Sequence, residues 1–242
     1  MAKAATKPEM SVVPQESQVP AYIKKGPARG NEGVAVEDIQ IPRLEIVQDL
    51  SPILKTNDEA ESGMLYNSVT EEIYGHQVTF VPILFNKQFI VWKDRKQGGG
   101  FRGAFKTPQE AQARVNEAVA EGDNPKHLTI TPTPIHYGLL LLDDGRKIEI
   151  VISMPRSKEK VSKRFNSMIQ LAEGDRFARS YTVGTADAKS PGGDYYNFAI
   201  SPQGWTPEDV YRAAEKIYER VAGQMINVAH GEEESVEPEA EY

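Results

Sequence analysis

Cysteine is absent from this chain of 242 residues, which excludes disulfide bonds, thiolate zinc sites and cysteine nucleophiles. This absence is typical of a reducing cytoplasm. No apolar run approaches the ~18 residues that a membrane-spanning helix needs. The first residues, MAKAATKPEMSVVPQ, lack the apolar stretch of a secretory signal. We therefore expect a cytoplasmic protein without membrane contact.

Catalytic motifs are also scarce. The four histidines, His76, His127, His136 and His230, show no metal-ligand spacing. The glycine-rich stretch at 98–103, GGGFRG, lacks the GK[ST] of a phosphate-binding loop, and no G-x-S-x-G elbow is present. These absences predict no catalytic residue, no bound metal and no cofactor, so we do not expect an enzyme.

Negative charge is scarce outside the C-terminus. The net charge is −7, and six glutamates with no basic residue lie in the last twelve residues, GEEESVEPEAEY. Residues 1–230 therefore carry only −1. Within them, residues 86–106 contain six basic residues against one acidic, and residues 156–181 contain seven against three. The sequence describes a nearly neutral body with basic segments and an acidic end.

Composition divides the chain into three parts. Residues 1–40 are rich in Pro, Lys, Glu, Gln and Gly, which predicts a disordered N-terminal segment. Residues 41–227 alternate apolar and polar runs and are expected to form the folded domain. Residues 228–242 are expected to form a disordered acidic tail.

Strand patterns recur in the folded part. VTFVPILF (78–85) and QFIVWK (88–93) predict two strands joined by a turn at Asn86-Lys87. Two apolar runs flank Asp144-Gly145, which predicts a hairpin over 135–153. Residues 177–201 predict two further strands around a Gly/Pro/Ser loop.

Three segments show helical periodicity: 106–122, 157–174 and 206–225. Thr107 is the expected N-cap of the first, with Glu110 completing a capping box and Gly122 ending the helix. Short strands together with three helices predict an α+β fold with a mainly antiparallel sheet.

The segment FNKQFIVWKDRKQGGGFRGAFK (85–106) interleaves aromatic and basic residues. Cations that neutralise phosphates release counterions, and aromatic rings stack on any base, so the pattern favours single-stranded nucleic acid of arbitrary sequence. The alternative is an ordinary hairpin with solvated lysines and buried aromatics. The phosphate candidates are Lys87, Lys93, Arg95, Lys96, Arg102 and Lys106, and the stacking candidates are Trp92, Phe101 and Phe105.

Two other segments extend the pattern. AKSPGGDYY (188–196) combines a flexible loop with Lys189, Tyr195 and Tyr196. The polar face of the predicted 157–174 helix carries Lys160, Lys163 and Arg164, which could extend the phosphate track. The alternative is an ordinary solvated helix face.

The whole pattern resembles phage-encoded single-stranded DNA-binding proteins of replication and recombination. The acidic tail with its terminal Tyr242 matches theirs in position and charge, and the blocks IPRLEIVQDLSP, SGMLYNSVTEEIYG and SKEKVSKRFNSMI are similar to theirs. The resemblance implies an OB-fold-like antiparallel β-barrel, here with about three added helices. It also implies a tail that shields the DNA groove and contacts a polymerase, helicase or primase through Glu232, Glu233, Glu234, Glu237, Glu239, Glu241 and Tyr242.

These observations favour a sequence-independent single-stranded DNA-binding protein of phage replication or recombination, in the host-cell cytoplasm, with homo-oligomers compatible with the sequence. Two alternatives remain open. The chain could be a phage structural or assembly protein, for which basic loops are simply surface. It could instead be a transcription regulator that binds RNA polymerase.

Overall fold

A computed structural model describes residues 30, 33, 40–190 and 193–222. Contacts divide the chain into a unit of residues 1–35 and a unit of residues 36–242, and the elements below belong to the second. The predictions of disorder for 1–40 and 228–242 fall on residues that, apart from 30, 33 and 40, lie outside the described ones. The same holds for every tail residue expected to contact a partner.

The described residues form nine strands and three α-helices. The strands are β1 Leu44–Ile46, β2 Leu65–Asn67, β3 Ile73–Gly75, β4 Gln77–Lys93, β5 Gly100–Phe105, β6 Leu128–Leu141, β7 Lys147–Ser153, β8 Arg179–Ser190 and β9 Gly193–Trp205. The helices are α1 Pro108–Ala120, α2 Glu159–Gln170 and α3 Glu208–Val221.

The strands make two antiparallel sheets. The larger has six strands in the order β7-β6-β4-β8-β9, with β5 also paired to β4, and the smaller has the order β1-β2-β3. The predicted α+β class, with antiparallel sheets and three helices, is confirmed. In the described part of the chain the larger sheet runs from β7 at one end of this order to β9 at the other, and no closed barrel is found.

Strand β4 is continuous where the sequence predicts a turn. Asn86 and Lys87 pair with Ile135 and Pro134 of β6, so the prediction of two separate strands is wrong. A two-residue hairpin turn needs residues that accept positive φ, such as Asn-Gly, and a lysine in the second position does not favour it. A bulge next to Pro82 shifts the register instead of ending the strand.

Each predicted helix is present, with ends two to four residues inside the predicted bounds. The start of α1 is as expected. Thr107 Oγ1 accepts the N–H of Glu110 at 3.2 Å, and the Glu110 carboxylate accepts the N–H of Lys106 at 3.0 Å. Among the described residues, no helix combines the length and the apolar character that crossing a bilayer requires.

The helices cover different parts of the larger sheet. Helix α2 inserts Phe165 into one apolar cluster, and α3 inserts Val210 and Ala214 into another. The two clusters contain adjacent residues of β4, whose side chains point to opposite faces, so α2 and α3 lie on opposite sides of the sheet. Helix α1 packs Ala111 and Val115 on the C-terminal end of β4, against Val91.

Candidate nucleic-acid interface

The C-terminal end of β4 and β5 form a hairpin around the 3-10 turn Arg95–Gln97. We call this hairpin, residues 89–105, the β4–β5 arm. Its turn is built by local contacts. The side chain of Asp94 accepts the N–H of Lys96 at 2.9 Å, and Gly98, with φ 67°, takes the left-handed conformation that reverses the chain. Arg95 and Lys96 are exposed at this tip.

The arm exposes the ring of Phe101, buries that of Trp92 and leaves the rings of Phe89 and Phe105 half-buried. Phe101 is 49% exposed, whereas its cross-strand partner Trp92 is only 7% exposed. The two rings lie 5.8 Å apart at 71°, an edge-to-face contact in which Trp92 supports Phe101. Phe105 packs with Val91 beneath α1. Of the three stacking candidates in this segment, Phe101 is the ring that solvent reaches most freely.

The cations of the arm differ in their surroundings. Lys93 Nζ forms an ion pair with Asp123 at 2.5 Å. The hydrogen bond from Lys93, aided by the charges of Lys93 and Arg102, lowers the pKa of Asp123 below its usual value. Arg102 is half-buried beside this pair, and Lys106 is exposed just before α1. Lys93 is therefore partly neutralised, and the tip keeps the more accessible positive charge.

A second basic group joins β4 to α2. Lys87 Nζ lies 3.1 Å from Glu159, and Lys163 Nζ lies 3.4 Å from the same carboxylate. Burial raises the pKa of Glu159, but the hydrogen bond and charge of Lys87, together with Lys163, outweigh burial and hold this pKa below its usual value. Lys160 and Arg164 are exposed on the same helix.

The third predicted group lies near the β8–β9 hairpin end. The Tyr196 N–H donates to Gln48 Oε1, and Gln48 Nε2 donates to the Tyr196 carbonyl, both at 2.9 Å. A Cβ added at Gly63 would lie 2.8 Å from the Tyr196 ring, so this ring is docked closely on the neighbouring segment. Tyr195 is half-buried and Lys189 is exposed.

The structure separates this third group from the arm. Gln77, at the start of β4, pairs with Gly184, and β8 continues from there to Lys189, away from the end of β4 that carries Lys93. The third group therefore lies apart from the arm, whereas Lys87 of the second group lies 5.8 Å from the centre of the Phe89 ring, within the arm. In the described part of the chain, no three His, Asp or Glu side chains cluster closely enough to hold a metal ion.

One edge of β4 is only partly paired. Its first edge pairs with β6 along most of its length, whereas the other edge pairs with β8 at 77–80 and with β5 at 89–93. Among the described residues, 81–88 have no strand partner on this second edge. The 3-10 turn Arg176–Ala178 lies there, and a shallow pocket is lined by Phe85, Arg176 and Tyr218 among others.

Arg176 anchors this region. Its Nη2 donates to Nδ1 of His136 at 2.8 Å and to Oδ1 of Asn166 at 2.9 Å, and its guanidinium carbon lies 5.5 Å from the centre of the Phe85 ring. No carboxylate of the described residues lies within 4 Å of this guanidinium. Burial lowers the pKa of Arg176 to about 10. Arg176 is not among the residues that the sequence predicts for the site. It lies beyond the end of α2 at Gln170, so the helical pattern of basic residues does not include it.

A family model described as Pam3 phage gp34-like protein matches residues 12–227 of the chain. The chain belongs to the Pam3 phage gp34-like family. Family membership supports the expectation of a phage protein and carries no information on nucleic-acid binding. No curated protein and no solved structure matches this gp34-like chain.

Proposed function

We propose that this gp34-like protein is a non-enzymatic, sequence-independent single-stranded DNA-binding protein of phage replication or recombination. The observation that supports the proposal best is the β4–β5 arm. It holds one exposed aromatic ring, Phe101, on the same short hairpin as the exposed cations Arg95 and Lys96. The proposal depends on this surface and does not require the closed barrel of an OB-fold.

The chemistry of the arm suits a single strand. Each phosphate that a cation neutralises releases counterions, which provides affinity without regard to sequence. A ring that is supported from below by another aromatic, as Trp92 supports Phe101, keeps its orientation and loses little freedom when a base stacks on it. Bases are accessible for such stacking in single strands and not within a duplex.

The acidic tail completes the proposal. Residues 228–242 lie outside the described residues, and their role is argued from charge alone. The six glutamates would compete with DNA for the cations of the body and, once displaced, would be available to a polymerase, helicase or primase. The protein would act in the cytoplasm of the host cell.

Fluorescence anisotropy of labelled oligo-dT, titrated at several salt concentrations, tests the proposal. We expect micromolar or tighter affinity at low salt, falling steeply as salt rises. Each phosphate contact contributes about −0.7 to the slope of log K against log salt for single strands, so Arg95→Gln with Lys96→Gln should make the slope shallower by about 1.4. Arg212→Gln, an exposed arginine on α3, is the matched control.

Absence of binding at low salt would refute the proposal. Binding with an unchanged slope in the Arg95/Lys96 variant would mean that the arm is not the site. If the protein is abundant in purified virions and indifferent to oligo-dT, the structural or assembly role is favoured instead. A tail-dependent capture of RNA polymerase without DNA binding would favour the transcription regulator.

A further inference from the structure

Trp205 is unusually exposed for a tryptophan. It ends β9 and is 62% exposed, in contrast to the buried Trp92. Its strand partner is Arg179, the first residue of β8, and the guanidinium carbon of Arg179 lies 4.0 Å from the centre of the indole ring. At this distance the guanidinium stacks on the ring as a cation–π pair. One face of the indole is therefore covered by a cation, and the exposed fraction leaves area open to solvent.

Arg179 lacks the partner that such a cation usually has. In the described part of the chain, no carboxylate lies within 4 Å of its guanidinium, and its buried Nε makes no hydrogen bond. Arg176, three residues earlier, shares both properties. Burial raises the pKa of Tyr181, and the charges of Arg179 and Arg176 both oppose this effect, which indicates that the two guanidinium groups lie near the same buried phenol.

We propose that Arg179, Arg176 and Trp205 form a nucleotide subsite, in which a base stacks on the open face of Trp205 and the adjoining phosphate pairs with the arginines. This inference rests on the proposed function and extends it to a second place on the molecule. The two requirements of a nucleotide, a planar platform and positive charge without a neighbouring carboxylate, are met side by side. A protein partner would also find Trp and Arg favourable, but it would not need two cations that lack carboxylates.

The subsite and the β4–β5 arm lie at the two ends of the same unpaired edge of β4. Tyr181 pairs with Phe80, so Arg179 lies near the point where β8 leaves β4 and the unpaired edge at 81–88 begins. The β4–β5 arm starts where this edge ends. Lys93 is thirteen residues beyond Phe80, which is at most about 43 Å at the rise of an extended strand. At roughly 3.4 Å per nucleotide, the spacing within one strand of a duplex, this distance corresponds to about a dozen nucleotides, and fewer if the strand is extended.

The two tryptophans allow a direct test. Trp92→Phe leaves Trp205 as the only tryptophan, and Trp205→Phe leaves Trp92, so selective excitation of tryptophan reports on one position at a time. We expect oligo-dT of twenty nucleotides to quench the emission of the Trp92→Phe protein. Trp205→Ala should weaken oligo-dT binding about tenfold, the effect of losing one stacked base. Arg179→Gln should weaken binding and reduce the salt slope by about 0.7. Leu50→Ala, an exposed apolar side chain, and Arg212→Gln are the matched controls and should bind like the wild type.

An abasic oligonucleotide of the same length isolates stacking from charge. It should bind the wild type and Trp205→Ala equally, whereas oligo-dT should distinguish them. If the wild type binds oligo-dT but Trp205 emission and the affinity of Trp205→Ala are unchanged, the subsite is refuted and the proposed function stands. If the wild type binds no oligo-dT at low salt, both are refuted. Should Arg179→Gln fail to fold, Trp205→Ala with the abasic strand decides alone, because Trp205 is exposed.

Discussion

The buried histidine should make the stability of this protein depend on pH. His136 is fully buried on β6. Its Nε2 lies 2.7 Å from Ser162 Oγ, its Nδ1 accepts a hydrogen bond from Arg176, and its ring packs on Phe85 and Phe165. Burial, reinforced by the charge of Arg176, holds the pKa of His136 well below its usual 6.5. The folded protein therefore keeps this imidazole neutral, because a second cation next to Arg176 has no compensating partner.

The size of the effect follows from proton linkage. Below pH 6.5 the unfolded chain binds a proton at this position and the folded chain does not, so falling pH favours unfolding. The stabilisation is fully present above about pH 6.5 and is lost as the pH falls below it. For one such group, the free energy of unfolding at pH 5.5 should be about 1.4 kcal/mol smaller than at pH 7.5.

Urea unfolding at pH 7.5, 6.5 and 5.5 measures this loss. His136→Gln should be less stable than the wild type at pH 7.5, because it removes the ring contacts, but it should lose about 1.4 kcal/mol less on going to pH 5.5. Equal losses in the wild type and His136→Gln would show that His136 is protonated in the folded protein, and the reasoning from burial would be wrong.

Two further predictions concern the tail and the sheet. Deleting residues 231–242 should tighten oligo-dT binding at low salt, with the gain shrinking as salt rises; unchanged or weaker affinity in anisotropy titrations would show that the tail does not compete for the site. Gly138→Ala should lower the free energy of unfolding in urea by about 1–3 kcal/mol or more, because its Cβ would lie 2.2 Å from the carbonyl oxygen of Val81. Gly204→Ala, in β9 with no atom within 4 Å of the added Cβ, is the control and should be nearly neutral.

Local signals in the sequence are enough to predict the helices, the hairpin of β6 and β7 and the strand pair of β8 and β9. Thr107 caps α1 as expected, and Asp144-Gly145 forms the turn between β6 and β7, because these residues make hydrogen bonds or adopt φ values that only neighbours along the chain determine. The continuous strand Gln77–Lys93 is harder to predict from the local sequence. Whether Asn86 and Lys87 turn or continue depends on β6, which lies about fifty residues away, and no local pattern contains that information.

The exposure of the two tryptophans shows the same limit at the candidate site. Trp92 lies between basic residues, which favours an exposed ring, yet Phe101 covers it across the hairpin. Trp205 is the last residue of β9 and precedes the short link to α3. This position in the sequence does not indicate whether the indole ring is buried or exposed. Arg179, its strand partner, covers one face of the ring and leaves Trp205 62% exposed. In both cases the cross-strand neighbour decides, and register is a property of the folded sheet.

The unpaired edge of β4 connects these observations. The bulge at Pro82 follows directly after the last pairing with β8, and Pro82 itself has no N–H to donate to a neighbouring strand. The edge stays without a strand partner among the described residues until β5 begins, and Arg176 and Lys87 lie along it, stacked on Phe85 and Phe89. The 3-10 turn Arg176–Ala178 packs along this edge in place of a strand, so the chain itself covers β4 where a longer β8 or β5 would otherwise pair with it.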